Sequence, residues 1–435
     1  MSPSNRLARA LPLALALASG PVVAGQFDYS LYAGVEHSDN INLSATAPVS
    51  QWVLVPGFGF GYDEQGATLQ AHVTGAAEYR DYLGGAYANQ KLGELAGLAN
   101  WTILPERLDF VAQDYASVQP LSTLSSDAPG NQQQTNVLML GPTLHFNLGR
   151  AMRGEAELHY IGSRASRTTQ FNSSRGQGAL RLSRDISPTS QLSLNLESQQ
   201  VQFDEASETD YRRDQVFARY TRKLAHVDLD AAVGWSRVRF DGGRTISDPL
   251  MRATVDWHAT ARNMLGLSYM RQYSDAAQDL IAMIGPTQEG TLPSAPAGIH
   301  TGGAVIASAA YLERRVSGYY SYGGERLTFS LSPWYRKLHY IEAVNPDQTG
   351  RGGDAGLDYR LRERLTLSAF ANVERIDYRA LARRDTTRNL GIGLRQVYST
   401  HWSWRLSLVD RRRTSTDPNG RYHAREAYFG IVYQR

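Results

Sequence analysis

An alternation with a period of two constrains this chain more than any other feature. It is sustained over segments of roughly a dozen residues and repeats from Gln26 to the last residues. Leu192, Leu194 and Leu196 alternate with Ser193 and Asn195. Trp402, Trp404, Leu406 and Leu408 alternate with Ser403, Arg405 and Ser407. Leu365, Leu367, Ala369, Ala371 and Val373 alternate with Thr366, Ser368, Asn372 and Glu374. Successive side chains of a strand point to opposite faces, so each segment carries one apolar and one polar face. Helical periodicity is nearly absent.

Segment length separates a soluble sandwich from a membrane barrel. Soluble strands usually run about 5–6 residues, whereas tilted strands that cross a bilayer need about 9–11. The alternating segments here have the longer length. The first is expected near 27–38, the last near 421–434, and others near 308–322 and 352–362. Between them, short connections such as DEQG (63–66), LPER (104–107) and SPTS (187–190) alternate with longer ones such as 39–49, 119–132 and 276–307. Short periplasmic turns and longer outer loops in strict alternation are the pattern of outer-membrane barrels. The chain is therefore expected to be all-β: a single transmembrane antiparallel β-barrel of about 20 strands, with eighteen inside the boundary error. An even count places both termini on the periplasmic side. The sequence has 24 Tyr and 7 Trp, many near expected strand ends, including Tyr82, Trp101, Trp257 and Tyr433. Interfacial girdles account for this, as does the plain strand preference of tyrosine.

Residues 1–24 have a different character. Arg6 and Arg9 precede an apolar core from Ala10 to Ser19, and Val22-Val23-Ala24 ends in small residues. This is the pattern of a secretory signal peptide, so residues 25–435 are expected to form the mature barrel, located in a bacterial outer membrane. At the other end, Phe429, Ile431 and Tyr433 fall on one face. The segment resembles the C-terminal assembly signal of bacterial outer-membrane proteins, but it finishes on Arg435 where an aromatic residue is usual.

Composition removes several classes. With no cysteine, the chain is not a disulfide scaffold or an iron–sulfur protein. A near balance of 45 Lys+Arg against 42 Asp+Glu implies no nucleic-acid partner. No Cys nucleophile, H-E-x-x-H, G-x-S-x-G or P-loop is present, and the ten histidines are scattered, so an enzyme is not expected, and neither a metal nor a cofactor is implied. The partner implied directly is outer-membrane lipid.

A barrel of about 20 strands is too wide to fill with side chains and should hold water. The alternation then assigns polar residues to the lumen: Arg219, Arg252, Arg336, Asp358, Arg360, Arg362, Glu374, Arg395 and Arg405. Trp334 falls on the same face as Arg336, where it suits stacking on a sugar ring or an interfacial position. Residues 311–435 contain 21 Arg and one Lys against 13 acidic residues, and the rest of the chain is net acidic. An arginine-rich wall facing a more acidic one would set up a transverse field suited to an anionic solute or an acidic glycan. Ordinary lumen polarity laced by salt bridges accounts for the same residues. The longest outer segment, Ala276 to Gly303, holds Leu280, Ile281, Met283 and Ile284, an unexpected apolar content for a solvated loop. It is expected to fold into or over the mouth as a constriction.

Two stretches carry a family resemblance. Gly34-Val35-Glu36-His37-Ser38-Asp39-Asn40-Ile41 resembles the G-x-x-x-S-D-N-I opening of the beta-barrel porin 2 family. Tyr311 to Gly318, followed by Leu327-Thr328-Phe329-Ser330-Leu331, resembles a hairpin of the same group. Members are outer-membrane barrels, several of them EpsL-like proteins encoded in exopolysaccharide loci. The resemblance implies a conduit for secreted exopolysaccharide, with polysaccharide and periplasmic export machinery as partners, and it carries over no catalytic residue. Asp39 and Asn40 also suit a turn leaving the strand. A general or solute-selective diffusion porin, a structural or adhesive closed barrel, and an outer-membrane hydrolase are the other readings. A TonB-dependent receptor is not expected, because such receptors carry a folded plug before the barrel, and here alternation starts just after the expected cleavage site.

Overall fold

The computed structural model describes residues 25–149, 151–282, 308–342 and 345–435. The expected leader lies outside these residues, as do Met283 and Ile284. Twenty antiparallel strands of 12 to 17 residues form one sheet. The first ten are β1 (Gln26–Ser38), β2 (Gln51–Gln65), β3 (Leu69–Tyr82), β4 (Gln90–Leu104), β5 (Leu108–Pro120), β6 (Gln132–Leu148), β7 (Met152–Ala165), β8 (Ser173–Ser187), β9 (Ser190–Phe203) and β10 (Tyr211–Lys223). The remainder are β11 (Val227–Phe240), β12 (Thr245–Thr260), β13 (Asn263–Ser274), β14 (Tyr311–Gly323), β15 (Leu327–Tyr340), β16 (Gln348–Arg362), β17 (Leu365–Tyr378), β18 (Arg383–Val397), β19 (Trp402–Ser415) and β20 (Tyr422–Gln434). Each pairs with its neighbours in the chain, and β20 pairs with β1, where Tyr32 lies opposite Val432 and Glu36 opposite Tyr428. The sheet is closed and has no free edge.

The register shows why the alternation is so regular. Directly paired residues share a face, so a one-residue slip would turn a whole strand inside out. Phe27, Leu31, Val35, Trp52, Leu194, Trp235, Leu267, Ile392, Leu408 and Phe429 all point outward and are well exposed. The apolar face continues around the barrel as a belt, far larger than a soluble surface tolerates. A closed barrel satisfies its backbone hydrogen bonds between strands, which lipid requires. With its outward apolar belt, short turns at one end and long loops at the other, the protein is an outer-membrane barrel.

Expected and observed strands agree in number and order. The largest shift is at β16, which begins at Gln348 instead of near 352. Gly350, Gly352 and Gly353 read as a turn in isolation. In the barrel a Cβ on Gly350 or Gly352 would press on the Trp334 ring, at 3.0 and 3.1 Å. The missing side chains make room for a ring from the neighbouring strand, and the run of glycines stays extended.

Candidate functional site

Nine of the polar and aromatic residues assigned to the lumen point into it. Arg219 (β10) forms a two-pronged pair with Asp230 (β11). The Arg252 Nε donates to Gln272 Oε1 at 2.6 Å, and its guanidinium lies 5.3 Å from the Phe217 ring centroid. Trp334 and Arg336 share the inner face of β15, Asp358 and Arg360 that of β16, and Glu374 that of β17. Arg395 and Arg405 stand opposite each other on β18 and β19. Arg362 lies beyond a register shift at the periplasmic end of β16, exposed, and is not part of this lining. Asp358 and Arg360 point inward and are nonetheless exposed. The periplasmic half of the lumen is therefore wide and wet.

The arginine excess of residues 311–435 does not all line the lumen. Arg314, Lys337, Arg351, Arg375, Arg388 and Arg412 lie on the outer face of β14–β19. The net charge of a segment ignores parity, and parity sends much of this charge outside. Near the extracellular end the inward arginines are matched by acids: Arg80 with Glu36 and Glu78, Arg411 with Glu426, and Arg413 with Asp385. Salt-bridge lacing fits the lumen better than a transverse field.

The extracellular half is narrowed by three inward-folded elements. The first is the connection between β13 and β14. Asp275 begins a short helix, α1 (Ala276–Ala282), by accepting hydrogen bonds from the Ala277 and Gln278 amides at 3.0 and 3.2 Å. The helix reaches across to the wall at β5–β7. Leu280 is fully buried there against Val137, Ile161 and Phe171, with Tyr115 and Ile281 packed beside it. Asp275 itself accepts two hydrogen bonds from Arg175 (β8) at 2.7 Å and one from the Tyr211 hydroxyl at 2.7 Å. Burial alone would raise its carboxyl, but the Arg175 guanidinium outweighs that and pulls it down to about 2. The structure places Leu280 and Ile281 of this segment against inward-facing residues of the wall.

The second element, residues 121–131, crosses to the opposite wall. Asn131 ties the loop to itself, accepting from the Ser122 amide and donating to the Ser122 and Ser126 carbonyls. Its far side is held by side chains more than 250 positions away. Arg413 donates to the Ser125 and Thr123 carbonyls at 2.7 and 3.1 Å, Arg383 donates to the Leu124 carbonyl, and the Tyr378 hydroxyl donates to the Thr123 carbonyl. Burial pushes the Asp127 carboxyl up, opposed by Arg411 and Arg413.

The third is residues 39–50. Asn40 donates to the Ser44 and His423 carbonyls and accepts from the Ser44 amide, while Asp39 accepts from the Arg425 amide. These bonds turn the chain inward, so that Ile41 packs with Val53, Val55 and Tyr82, and Leu43 packs with Ala128 of the second loop. The Ser38–Ile41 motif acts here as a turn device. Its inward direction was missed; the signal was the pair of apolar residues, Ile41 and Leu43, in an otherwise polar loop.

Under the two loops lies a cavity of about 810 Å³, lined by Tyr82, Trp334, Asp354, Phe370, Glu374 and Arg405 among others. Aromatic side chains in and beside it are laid along the wall. A Cβ on Gly57 would overlap the Tyr32 ring, one on Gly391 the Phe370 ring, and one on Gly34 or Gly430 the Tyr428 ring. Rings thus occupy the space above strand glycines instead of projecting across the lumen, and the passage keeps its width. Phe370 points inward and is still 43% exposed, leaving ring surface open to a solute. Among the described residues, no group of three His, Asp or Glu side chains converges to hold a metal ion.

No protein-family model and no curated protein matches the chain. Among solved structures, it is similar to a mutant of the ferric enterobactin receptor PfeA from Pseudomonas aeruginosa, in complex with enterobactin. The identity is 11% and the TM-score 0.48, over 95% of this chain and 82% of that one. It is also similar to the siderophore receptor PirA from Pseudomonas aeruginosa, at 11% identity and a TM-score of 0.46, covering 96% and 81%. The FrpB iron transporter from Neisseria meningitidis gives 8% identity and a TM-score of 0.44, covering 94% and 81%. Likeness at this level says nothing about cargo.

Proposed function

We propose that this outer-membrane barrel is a saccharide channel, and specifically a conduit for secreted exopolysaccharide. The observation that carries this reading is the cavity in which Trp334 and Phe370 lie along the wall beside Asp354, Glu374 and Arg405. Sugar rings offer one apolar face and a rim of hydroxyls. Flat aromatic surface serves the first, and carboxylates, amides and guanidinium groups serve the second. The periplasmic half is open and the extracellular half narrowed, which suits a chain entering from the cell side and leaving past a gate. The Gly34–Ile41 segment, which resembles the opening of the beta-barrel porin 2 family, supports the same assignment, with periplasmic export machinery meeting the wide end. Deleting the gene and scoring surface polysaccharide tests it directly. Loss of the polymer, restored by the wild-type gene and not by a Trp334→Ala/Phe370→Ala variant, is the expected result. Normal polymer output in the deletion strain removes the export reading.

The inward loop 121–131 favours a second reading, a solute-selective diffusion porin, because a loop pinned across a pore sieves small solutes. Liposome swelling with graded neutral and acidic oligosaccharides separates the two. A porin passes small sugars at rates set by size.

A further inference from the structure

We propose that the outer face of β14–β20 is a docking surface for the phosphorylated glycolipid of the outer leaflet. The observation is a series of like-charged residues in register. Arg314 stands directly opposite Lys337, Arg351 opposite Arg375, and Arg388 opposite Arg412. All point outward. Like charges directly opposite on adjacent strands destabilise a sheet, and three such pairs over six strands are costly unless an anion lies between them. The protein supplies little neutralisation. On this face Asp377 pairs with Arg384 and Arg375, and Asp410 with His423 and Arg425. Among the described residues, no carboxylate lies within ion-pair distance of Arg314, Lys337, Arg351, Arg388 or Arg412.

Height on the barrel identifies the occupant. Each pair lies near the end of its strands that carries the long connections. Two positions nearer the periplasm on the same face come Val316, Tyr335, Val373 and Leu390, the upper edge of the apolar belt, with Gly353 and Asp410 at the corresponding places below Arg351 and Arg412. The cations therefore ride where lipid headgroups begin. Arginine forks match phosphate oxygens bidentately, and cationic groups at this level bind anionic headgroups. The opposite arc is built differently: Arg212 and Arg239 both reach Asp214, and Arg164 reaches Asp204. There the sheet neutralises its own charge and asks for no ligand.

The test uses the purified full-length barrel with three probes: a bisphosphorylated glycolipid, its dephosphorylated counterpart, and inorganic phosphate. The variant is Arg351→Gln/Arg375→Gln/Arg388→Gln/Arg412→Gln; the control is Arg212→Gln/Arg239→Gln. Native mass spectrometry should find the bisphosphorylated lipid retained by wild type and control, and bound at least tenfold more weakly by the variant, as loss of even one charge-assisted contact implies. Thermal melts add a readout that a merely structural role would not invert. In neutral detergent the variant should melt above wild type, because repulsion is relieved. With the bisphosphorylated lipid present it should melt below. Equal retention by variant and wild type overturns the proposal, as does equal binding of the dephosphorylated lipid. Displacement of the lipid by millimolar inorganic phosphate also overturns it, in favour of a free-anion site. A variant that shifts oligomeric state without changing lipid retention assigns the face to a second copy of the chain instead.

Discussion

Replacing Asp275 with alanine is expected to release α1 from the barrel wall and widen the channel. The substitution leaves the Arg175 guanidinium, 2% exposed, without its carboxylate. It also removes the acceptor for the Tyr211 hydroxyl and the cap of the helix. Breaking a buried ion pair from one side costs about 3–5 kcal/mol, and a lost cap adds about 1 kcal/mol. The helix is held by the ion pair, by the burial of Leu280, worth about 2 kcal/mol, and by hydrogen bonds from Tyr311 and Ser274 to Asp279 and from Arg213 to Gln278. Seven residues do not hold a helix alone in water. A loss of about 4 kcal/mol shifts the docked-to-released ratio toward release by roughly a thousandfold. Single-channel recording in planar bilayers should show larger conductance for Asp275→Ala, in protein whose heat-modifiable gel mobility confirms a folded barrel. The paired variant Arg175→Met/Asp275→Leu should return to near the parent value, since apolar partners of similar size replace buried ion pairs well. The pH dependence has a definite sign. The carboxyl is depressed to about 2, so its contribution is complete above about pH 4, the ordinary aspartate value. It is lost only as pH falls toward 2. The Asp275 contribution to the conductance should stay flat from pH 8 to 5. Parent-like conductance in a folded Asp275→Ala barrel would refute the account of the helix as a docked constriction.

Three further outcomes are expected. Arg413→Gln should loosen the loop 121–131, which loses donors to the Ser125 and Thr123 carbonyls; a larger conductance than the parent is the sign, and an unchanged one counts against the loop as a constriction. Asp127→Asn should raise the melting temperature at pH 7, because burial lifts that carboxyl and its ionised form opposes loop closure; the parent should gain stability as pH falls through the raised value, and the variant should not. A variant that melts lower at pH 7 contradicts this. Trp334→Ala should weaken current blockade by oligosaccharides about three- to tenfold, the scale of one aromatic contact, whereas undiminished blockade would remove Trp334 from the sugar path.

The long-range contacts decided what the alternation could not. Which side chain faces lipid is a local property: parity along one strand settles it, and Trp334, Glu374 and Arg405 were legible as lumen residues before any partner strand was known. Strand length, turn length and the even count are local in the same sense, which is why the barrel and its membrane could be read from residues alone. The constriction was only half legible. Leu280 announced itself by its apolar character, but the loop 121–131 is polar and is held by Arg413, 290 positions away, a pairing no short-range pattern encodes. Net charge could not choose between an arginine-rich wall and salt-bridge lacing for a related reason: summing over residues 311–435 mixes two faces. Arg351 and Arg375 become a like-charged pair only once the register sets them opposite each other. Periodicity assigns each residue a face; closure of the barrel assigns it neighbours, and in this protein the neighbours create the narrowed mouth, the cavity and the cationic surface.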